Sequence, residues 1–133
     1  MKIIDGEKTV LGRLASYSAK QALNGEDIVI LNCEKVIITG NKKRIKFDFQ
    51  IKRGRVGSSQ KGPKHHRDSR KIVKRAIRGM LPDHRMGRGR IAFKKIRCHI
   101  GIPEEFKDKD TIKFEKKIKR KYWPIGEFAK NER

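Results

Sequence analysis

The sequence predicts an α/β protein of three layers, in which helices flank a mainly parallel central sheet and basic loops extend from it. Three observations lead to this class: a continuous apolar run typical of a buried strand, a helical repeat of apolar residues before it, and a later amphipathic helix. The 133 residues have the size of one domain, and 35% are hydrophobic. We therefore expect a single domain, residues 1–133, with a small core.

The centre of the sheet is predicted at Ile28–Leu31, a run of four apolar residues between Asp27 and Asn32. The run is rich in β-branched side chains and too short for a helix. Because it does not alternate with polar residues, we expect it to be buried on both faces, as in a parallel sheet covered by helices.

A helix is predicted from about Thr9 to Asn24. Thr9 is suited to cap its start and Gly25 to end it. The small and apolar residues that recur at helical spacing are Leu11, Leu14, Ala15, Ser18, Ala19 and Ala22.

Two further strands are predicted before residue 52. Residues 36–39 are all β-branched, and the pair Gly40-Asn41 that follows suits a turn. Beyond the turn, apolar and polar residues alternate with a period of two, which is typical of a half-buried strand. Its apolar members are Ile45, Phe47, Phe49 and Ile51. We interpret the two phenylalanines as core residues and not as a platform that stacks RNA bases.

Two basic segments are predicted to be loops. Arg53–Arg67 is rich in glycine, serine and basic residues, and its only apolar side chain is Val56. It cannot build a core, so we expect it to become ordered on a partner. Gly87–Arg90 is interpreted as a second, arginine-glycine loop.

Between these loops, an amphipathic helix is predicted from Asp68 or Ser69, either of which can cap it, to about Met80, and Pro82 stops it. One face carries the apolar side chains of Ile72, Val73, Ala76, Ile77 and Met80. The other face carries the basic side chains of Arg70, Lys71, Lys74, Arg75 and Arg78.

The last strand is predicted where Ile96, Cys98 and Ile100 alternate with polar residues. The tail, residues 104–133, mixes both charges and is harder to interpret. Ile112, Phe114 and Ile118 have a spacing compatible with a helix, and the Tyr-Trp-Pro sequence at 122–124 suits an anchoring cluster.

Charge gives the strongest indication of function. The net charge is +21, and the segment from Lys52 to Arg97 holds 17 Lys or Arg residues against two acidic ones, Asp68 and Asp83. Such a segment repels itself unless a polyanion neutralises it. A solvated basic surface or an anionic lipid partner would fit the same charge, but nucleic acid is favoured because solubility alone does not require this density.

Other classes of protein are disfavoured by what the sequence contains. No apolar run approaches the roughly 18–20 residues that cross a bilayer, and the start has no signal-peptide pattern, so a cytoplasmic protein without a membrane partner is expected. Cys33 and Cys98 are far apart in apolar stretches, which favours free thiols in a reducing compartment.

The sequence also disfavours an enzymatic or a metal-binding function. The segment Gly87–Ala92 formally fits a dinucleotide-binding fingerprint, but no buried strand precedes it. The spacing of the histidines and cysteines fits no zinc motif, and only Asp68 and Asp83 could serve a nuclease in the basic segment. We expect no catalytic residue, no metal, no cofactor and no small-molecule substrate.

Four ordered motifs across about residues 4–103 resemble those of the thirteenth-protein family of the large ribosomal subunit. They are residues 9–15 (TVLGRLA), 29–40 (VILNCEKVIITG) and 76–82 (AIRGMLP), and then Gly89-Arg90 with Phe93-Lys94-Lys95 ahead of Gly101. The pair Gly62-Pro63 and the triplet His65-His66-Arg67 resemble the archaeal and eukaryotic branch.

This resemblance implies a three-layer α/β fold and a structural protein that binds large-subunit ribosomal RNA, contacts neighbouring ribosomal proteins and supports assembly of the subunit. By the same resemblance, the basic residues around the turn after the amphipathic helix are expected to face RNA. They are Arg75, Arg78, Arg85, Arg88, Arg90, Lys94 and Lys95.

Charge and position add ten more candidates for RNA binding. They are Arg53, Arg55, Lys61, Lys64, His65, His66, Arg67, Arg70, Lys71 and Lys74. A regulatory RNA- or DNA-binding protein that acts outside the ribosome is the alternative with the same charge pattern, and an enzyme acting on nucleic acid is the more distant one.

Overall fold

The computed structural model describes residues 1–114 and 118–129. Its strands and helices follow in the order β1 (Lys2–Asp5), α1 (Leu11–Leu23), β2 (Ile28–Leu31), β3 (Ile37–Thr39), α2 (Lys42–Gly54), α3 (Ser69–Met80), α4 (Gly87–Lys94), β4 (Ile96–Cys98) and β5 (Tyr122–Pro124). This alternation confirms the predicted α/β class.

Among the described residues, β1, β2 and β4 form a parallel sheet with β2 in the middle. Ile28 of β2 lies opposite Lys2 on one side and Ile96 on the other. The central parallel strand is therefore confirmed, whereas β1 was not predicted from the sequence. A small antiparallel sheet joins β3 to β5, with Ile38 opposite Trp123, which confirms the anchoring cluster at 122–124.

The two faces of the parallel sheet bury different side chains because successive residues of a strand point to opposite sides. Ile4, Ile28 and Ile30 face α1, α3 and α4 in the main core. Ile3, Val29 and Leu31 form a second cluster with Phe106, which lies in a single 3₁₀ turn, Glu104–Phe106. The layers are thus helices, sheet and a thin covering segment.

Helix α1 is confirmed, but its start differs from the prediction. Val10 occupies the N-cap position and makes no side-chain cap hydrogen bond. Thr9 is buried instead, and its hydroxyl donates to the Asp5 carbonyl at 3.3 Å. Gly25, with φ of +95°, follows the end of the helix in the left-handed region, as its position suggested.

The strand predicted between Ile45 and Ile51 is wrong, because these residues lie within α2. Asn41 caps the helix, its Oδ1 accepting from the Lys43 backbone N–H at 3.0 Å. The Phe49 ring lies 5.5 Å from that of Phe128. Phe47 is 55% exposed, so it is not the core residue that the alternation predicted.

The arginine-glycine loop predicted at Gly87–Arg90 is also wrong, since α4 begins at Gly87. Gly89 and Ala92 are buried, and a Cβ on Gly89 would lie 2.5 Å from the carbonyl oxygens of Pro82 and Asp83. The absence of a side chain at Gly89 is what lets the start of α4 approach the turn after α3.

In the tail, Ile112 pairs with β1 instead of starting the predicted helix. Ile112 forms an isolated parallel bridge with Ile4, and its backbone N–H donates to the Ile3 carbonyl at 2.8 Å. Long-range pairing with β1 therefore overrides the helical spacing of Ile112 and Phe114. Part of that predicted helix, residues 115–117, lies outside the described residues.

Both cysteines are free thiols. Cys33 is buried, and its pKa is raised by a hydrogen bond with Cys98 and by burial, so it remains protonated. Within residues 1–114 and 118–129, every helix falls short of the length and apolar character needed to span a membrane.

Candidate nucleic-acid interface

Helix α3 carries the central part of the predicted RNA-binding surface. Asp68 caps it by accepting from the Arg70 backbone N–H at 2.9 Å, as predicted. Val73 and Ile77 are fully buried against the core. The helix is held by this apolar side, so its basic side points away from the core; these residues are Arg70, Lys71, Lys74, Arg75 and Arg78.

Arg75 connects α3 to the loop that precedes it. Its Nη1 donates to the Lys64 carbonyl oxygen at 3.0 Å, and its Nη2 lies 3.2 Å from His65 Nε2. From the other side, Arg53 Nε at the end of α2 donates to the His65 carbonyl oxygen at 3.3 Å. The end of α2, the loop and α3 therefore meet at His65.

His65 is neutral in this position. Burial lowers its pKa, and the positive charges of Arg75, Lys52, Arg55 and Arg78 lower it further. An arginine can only donate hydrogen bonds, so the imidazole Nε2 must accept from Arg75. This accepting role requires the neutral ring, which agrees with the direction of the pKa shift.

An open cleft of about 340 Å³ lies at this junction, and its lining includes Arg53, Arg55, Lys64 and His65. Gly62 also lines the cleft, and its backbone N–H donates to the Val56 carbonyl at 2.8 Å. The arrangement brings several cations to one concave surface, which suits the charge of a phosphate backbone.

The turn after α3 and helix α4 extend the basic surface. Arg85, Arg88, Arg90 and Lys94 are exposed. Lys74 of α3 lies with its Nζ 4.9 Å from the centre of the Phe93 ring, a cation–π contact that joins the two helices. The predicted residues of both helices thus belong to one part of the fold.

Some predicted residues have partners inside the protein. Lys95 Nζ donates to the Gly25 carbonyl oxygen at 2.6 Å and so ties the end of α4 to the end of α1. Arg70 forms an exposed ion pair with Asp68, 2.6 Å between Nη2 and Oδ2. Of the remaining candidates, Arg78 is half-buried on α3, and the others are exposed in the loop and on α3; they are Lys61, His66, Arg67 and Lys71.

Helix α2 adds cations that the sequence reasoning did not select. Lys43 and Lys46 are exposed, and no residue of α2 is buried. Arg44 is partly neutralised by Asp48, with 3.2 Å between Nε and Oδ2. These cations were not selected because the segment was predicted as a half-buried strand. Asn41, a recognisable helix cap, was the signal that could have indicated the helix.

The two acidic residues that a nuclease would need serve the backbone instead. The Asp68 pKa is lowered, chiefly by its hydrogen bond with the Arg70 side chain. Asp83 Oδ1 accepts from the Arg85 backbone N–H at 2.9 Å. Both carboxylates stabilise local structure around α3, so neither is positioned as a catalytic base.

An α/β core with a basic helix, a basic loop and a second basic helix on its outside is the arrangement expected of a nucleic-acid-binding protein. Comparison with known proteins specifies the family. The model of the family described as ribosomal protein L13 matches residues 1–105. This chain belongs to the ribosomal protein L13 family.

Several relatives share most of their length with this chain, and each is named large ribosomal subunit protein uL13. The relative from Methanosphaera stadtmanae is 42% identical over 85% of this chain and 81% of its own. That from Methanocaldococcus jannaschii is 40% identical over 98% and 96%, respectively. That from Methanopyrus kandleri is 50% identical over 76% and 62%. These archaeal sources confirm the predicted branch.

Proposed function

We propose that this protein is a structural constituent of the large ribosomal subunit, in which it binds ribosomal RNA and supports assembly of the particle. The match of residues 1–105 to the ribosomal protein L13 family carries this proposal. The family consists of ribosomal components and not of enzymes. The charge of +21 supports RNA as the partner.

The proposed RNA-binding surface, here called the basic face, consists of the segment from Arg53, at the end of α2, to Arg67, the exposed side of α3 and the exposed side of α4. The core fixes α3 and α4 through Val73, Ile77 and Ala92. Because the core holds these two helices, the cations of α3 and α4 keep a fixed arrangement before RNA arrives, whereas the segment 53–67 is expected to become ordered on the RNA. Binding would then recognise the shape of folded RNA more than its base sequence.

Ultraviolet crosslinking in lysate, followed by sedimentation and by sequencing of the attached RNA, tests this proposal. We expect crosslinks from peptides of the basic face to large-subunit ribosomal RNA, in a fraction of the size of the large subunit. Recovery of the free protein on messenger RNA or DNA would contradict the ribosomal role and favour a regulatory one.

A second crosslinking experiment tests the proposal that the chain contacts neighbouring ribosomal proteins. Protein–protein crosslinks with a lysine-reactive reagent should join this chain to other large-subunit proteins through surfaces outside the basic face. Lys107 and Lys109, on the opposite side of the sheet, are suitable reporters because both are exposed. Ultraviolet crosslinks from peptides with these lysines to RNA would contradict the assignment of RNA binding to the basic face.

A further inference from the structure

A second cationic site, lined by residues outside the basic face, lies beside the start of α1. There a cavity of about 380 Å³ opens between Lys8, Val10 and Arg13 on one side and Lys113 and Phe114 on the other. The segment that carries Lys113 is fixed by Ile112, whose backbone pairs with β1. The cavity is thus built by two parts of the chain that the sheet holds together.

Among the residues that the structure describes, the charged side chains that line this cavity are all basic. Lys8, Arg13 and Lys113 are exposed. Among residues 1–114 and 118–129, no salt bridge joins any of the three to an acidic side chain. Three cations around one opening repel each other, so the site favours an anion that neutralises them.

The inner wall of the cavity is apolar. Val10 and Ile118 line it together with Phe114. The Phe114 ring is held edge-on by Tyr17, 5.1 Å between ring centres, and is only partly buried. A fixed aromatic ring next to cations matches a ligand that has a planar apolar part and a negative part.

We propose that this cavity binds one unpaired nucleotide, its base against Phe114 and its phosphate among Lys8, Arg13 and Lys113. The volume lies at the lower end of the range of about 300–1,000 Å³ that small-molecule sites have, which suits a single nucleotide and excludes a duplex. The nucleotide belongs to an RNA strand, an assignment that rests on the proposed ribosomal function.

Titration of the isotopically labelled full chain by NMR tests this proposal, with the Arg13 and Lys113 amide signals and the Phe114 ring signals as reporters. The ligands are AMP, ribose 5-phosphate and a short single-stranded oligoadenylate. We expect AMP and the oligonucleotide to shift all three reporters, and the oligonucleotide to bind at least tenfold more tightly than AMP, because adjacent phosphates add contacts to the protein.

The variants Arg13→Gln and Phe114→Leu should each weaken occupancy of the cavity by about tenfold, the first through charge and the second through stacking. Leucine keeps an apolar side chain against Tyr17, so the fold is retained. Lys20→Gln is the matched control, because Lys20 is an exposed cation of the same helix, α1, that does not line the cavity.

Other outcomes of the NMR titration would overturn parts of this proposal. If ribose 5-phosphate binds the cavity as tightly as AMP does, the role of Phe114 in base binding is overturned. If AMP binds as tightly as the oligonucleotide does, the source is a free nucleotide and not RNA. Shifts confined to the basic face would overturn the cavity site and leave the proposed function intact, whereas absence of shifts on the basic face would count against that function alone.

Discussion

Arg75 shows how a single side chain can serve both the fold and the surface. Two of its guanidinium nitrogens contact Lys64 and His65 of the preceding loop. Burial and the nearby charge of Arg78 lower its pKa, but an arginine remains charged at any physiological pH. The loop is therefore held by a residue that also adds to the positive charge of the basic face.

The neutral state of His65 predicts a pH dependence of stability. Its pKa is lowered in the folded protein, so protonation favours the unfolded state, in which the ordinary value of about 6.5 applies. The stabilising contribution is present above pH 6.5 and is lost as the pH falls below it. Urea unfolding at pH 7 and pH 5.5 should show a lower midpoint at pH 5.5.

The variant His65→Gln should reduce that difference between the two midpoints. His66→Gln is the control, since it removes the neighbouring, exposed imidazole and should retain the wild-type response. An identical drop in midpoint for wild type and His65→Gln would show that other groups cause the acid sensitivity.

Two glycines give opposite predictions for the same substitution. In Gly89→Ala the new Cβ would lie 2.5 Å from two backbone oxygens, so the free energy of unfolding should fall by about 1–3 kcal/mol. In Gly79→Ala no atom lies within 4 Å of the new Cβ, so the free energy of unfolding should rise by roughly 0.5–1 kcal/mol. Urea midpoints of the two variants decide this, and a neutral Gly89→Ala would contradict the close approach at the start of α4.

At the scale of elements, α2 shows why a period of two can mislead. Ile45 and Phe49 are four residues apart and both are partly buried, while Phe47 and Ile51 are also four apart and both are exposed. Two helical stripes offset by two residues give the same apolar alternation as a strand. The pattern alone therefore could not decide between the two structures.

The helical assignment of α2 predicts unequal roles for its phenylalanines. Phe49→Ala should lower the free energy of unfolding by about 2 kcal/mol, less than the roughly 3–5 kcal/mol of a fully buried phenylalanine, because Phe49 is only partly covered. Phe47→Ala should change it by less than about 0.5 kcal/mol. Thermal or urea unfolding measures both, and equal losses would favour a half-buried strand.

The elements that the sequence predicted correctly are those whose signal is local. Ile28–Leu31 is a buried run, and Asp68 is a cap that directly precedes an amphipathic helix. β1, and the bridge that replaces a helix at Ile112, depend on pairing between residues far apart in the chain. Local propensity carries no information about such partners.

The same limit applies to the proposed interface. Its proposed location between Lys52 and Arg97 rests on charge, which a sequence displays directly, and it stays a prediction. The junction at His65 and the engagement of Lys95 with the Gly25 carbonyl required the fold, because they join residues that are 10 or more positions apart.

The whole molecule separates a small apolar core from a large excess of positive charge. Such a protein should bind RNA with a strong dependence on salt, because each neutralised phosphate releases counterions. If it contacts ten phosphates, affinity for its ribosomal RNA should fall by roughly 10³–10⁵ between 50 and 200 mM salt. Filter binding at several salt concentrations measures this, and a nearly flat response would contradict phosphate-based binding.

The double variant Arg88→Gln/Arg90→Gln should lower the steepness of that salt response by about two phosphate equivalents. The matched control is Lys107→Gln/Lys109→Gln, an equal loss of charge on the other side of the sheet. Equal changes in slope for both double variants would mean that only net charge matters.

The parallel sheet also determines when the core can form during synthesis of the chain. Ile96 of β4 is made 91 residues after Asp5 of β1, a delay of roughly 5–20 s at common rates of translation. Ile125, fully buried in the main core, is made later still. For most of its time on the translating ribosome, the nascent chain therefore lacks its complete core. It is then a polycation beside an RNA surface, and its apolar residues are exposed to solvent.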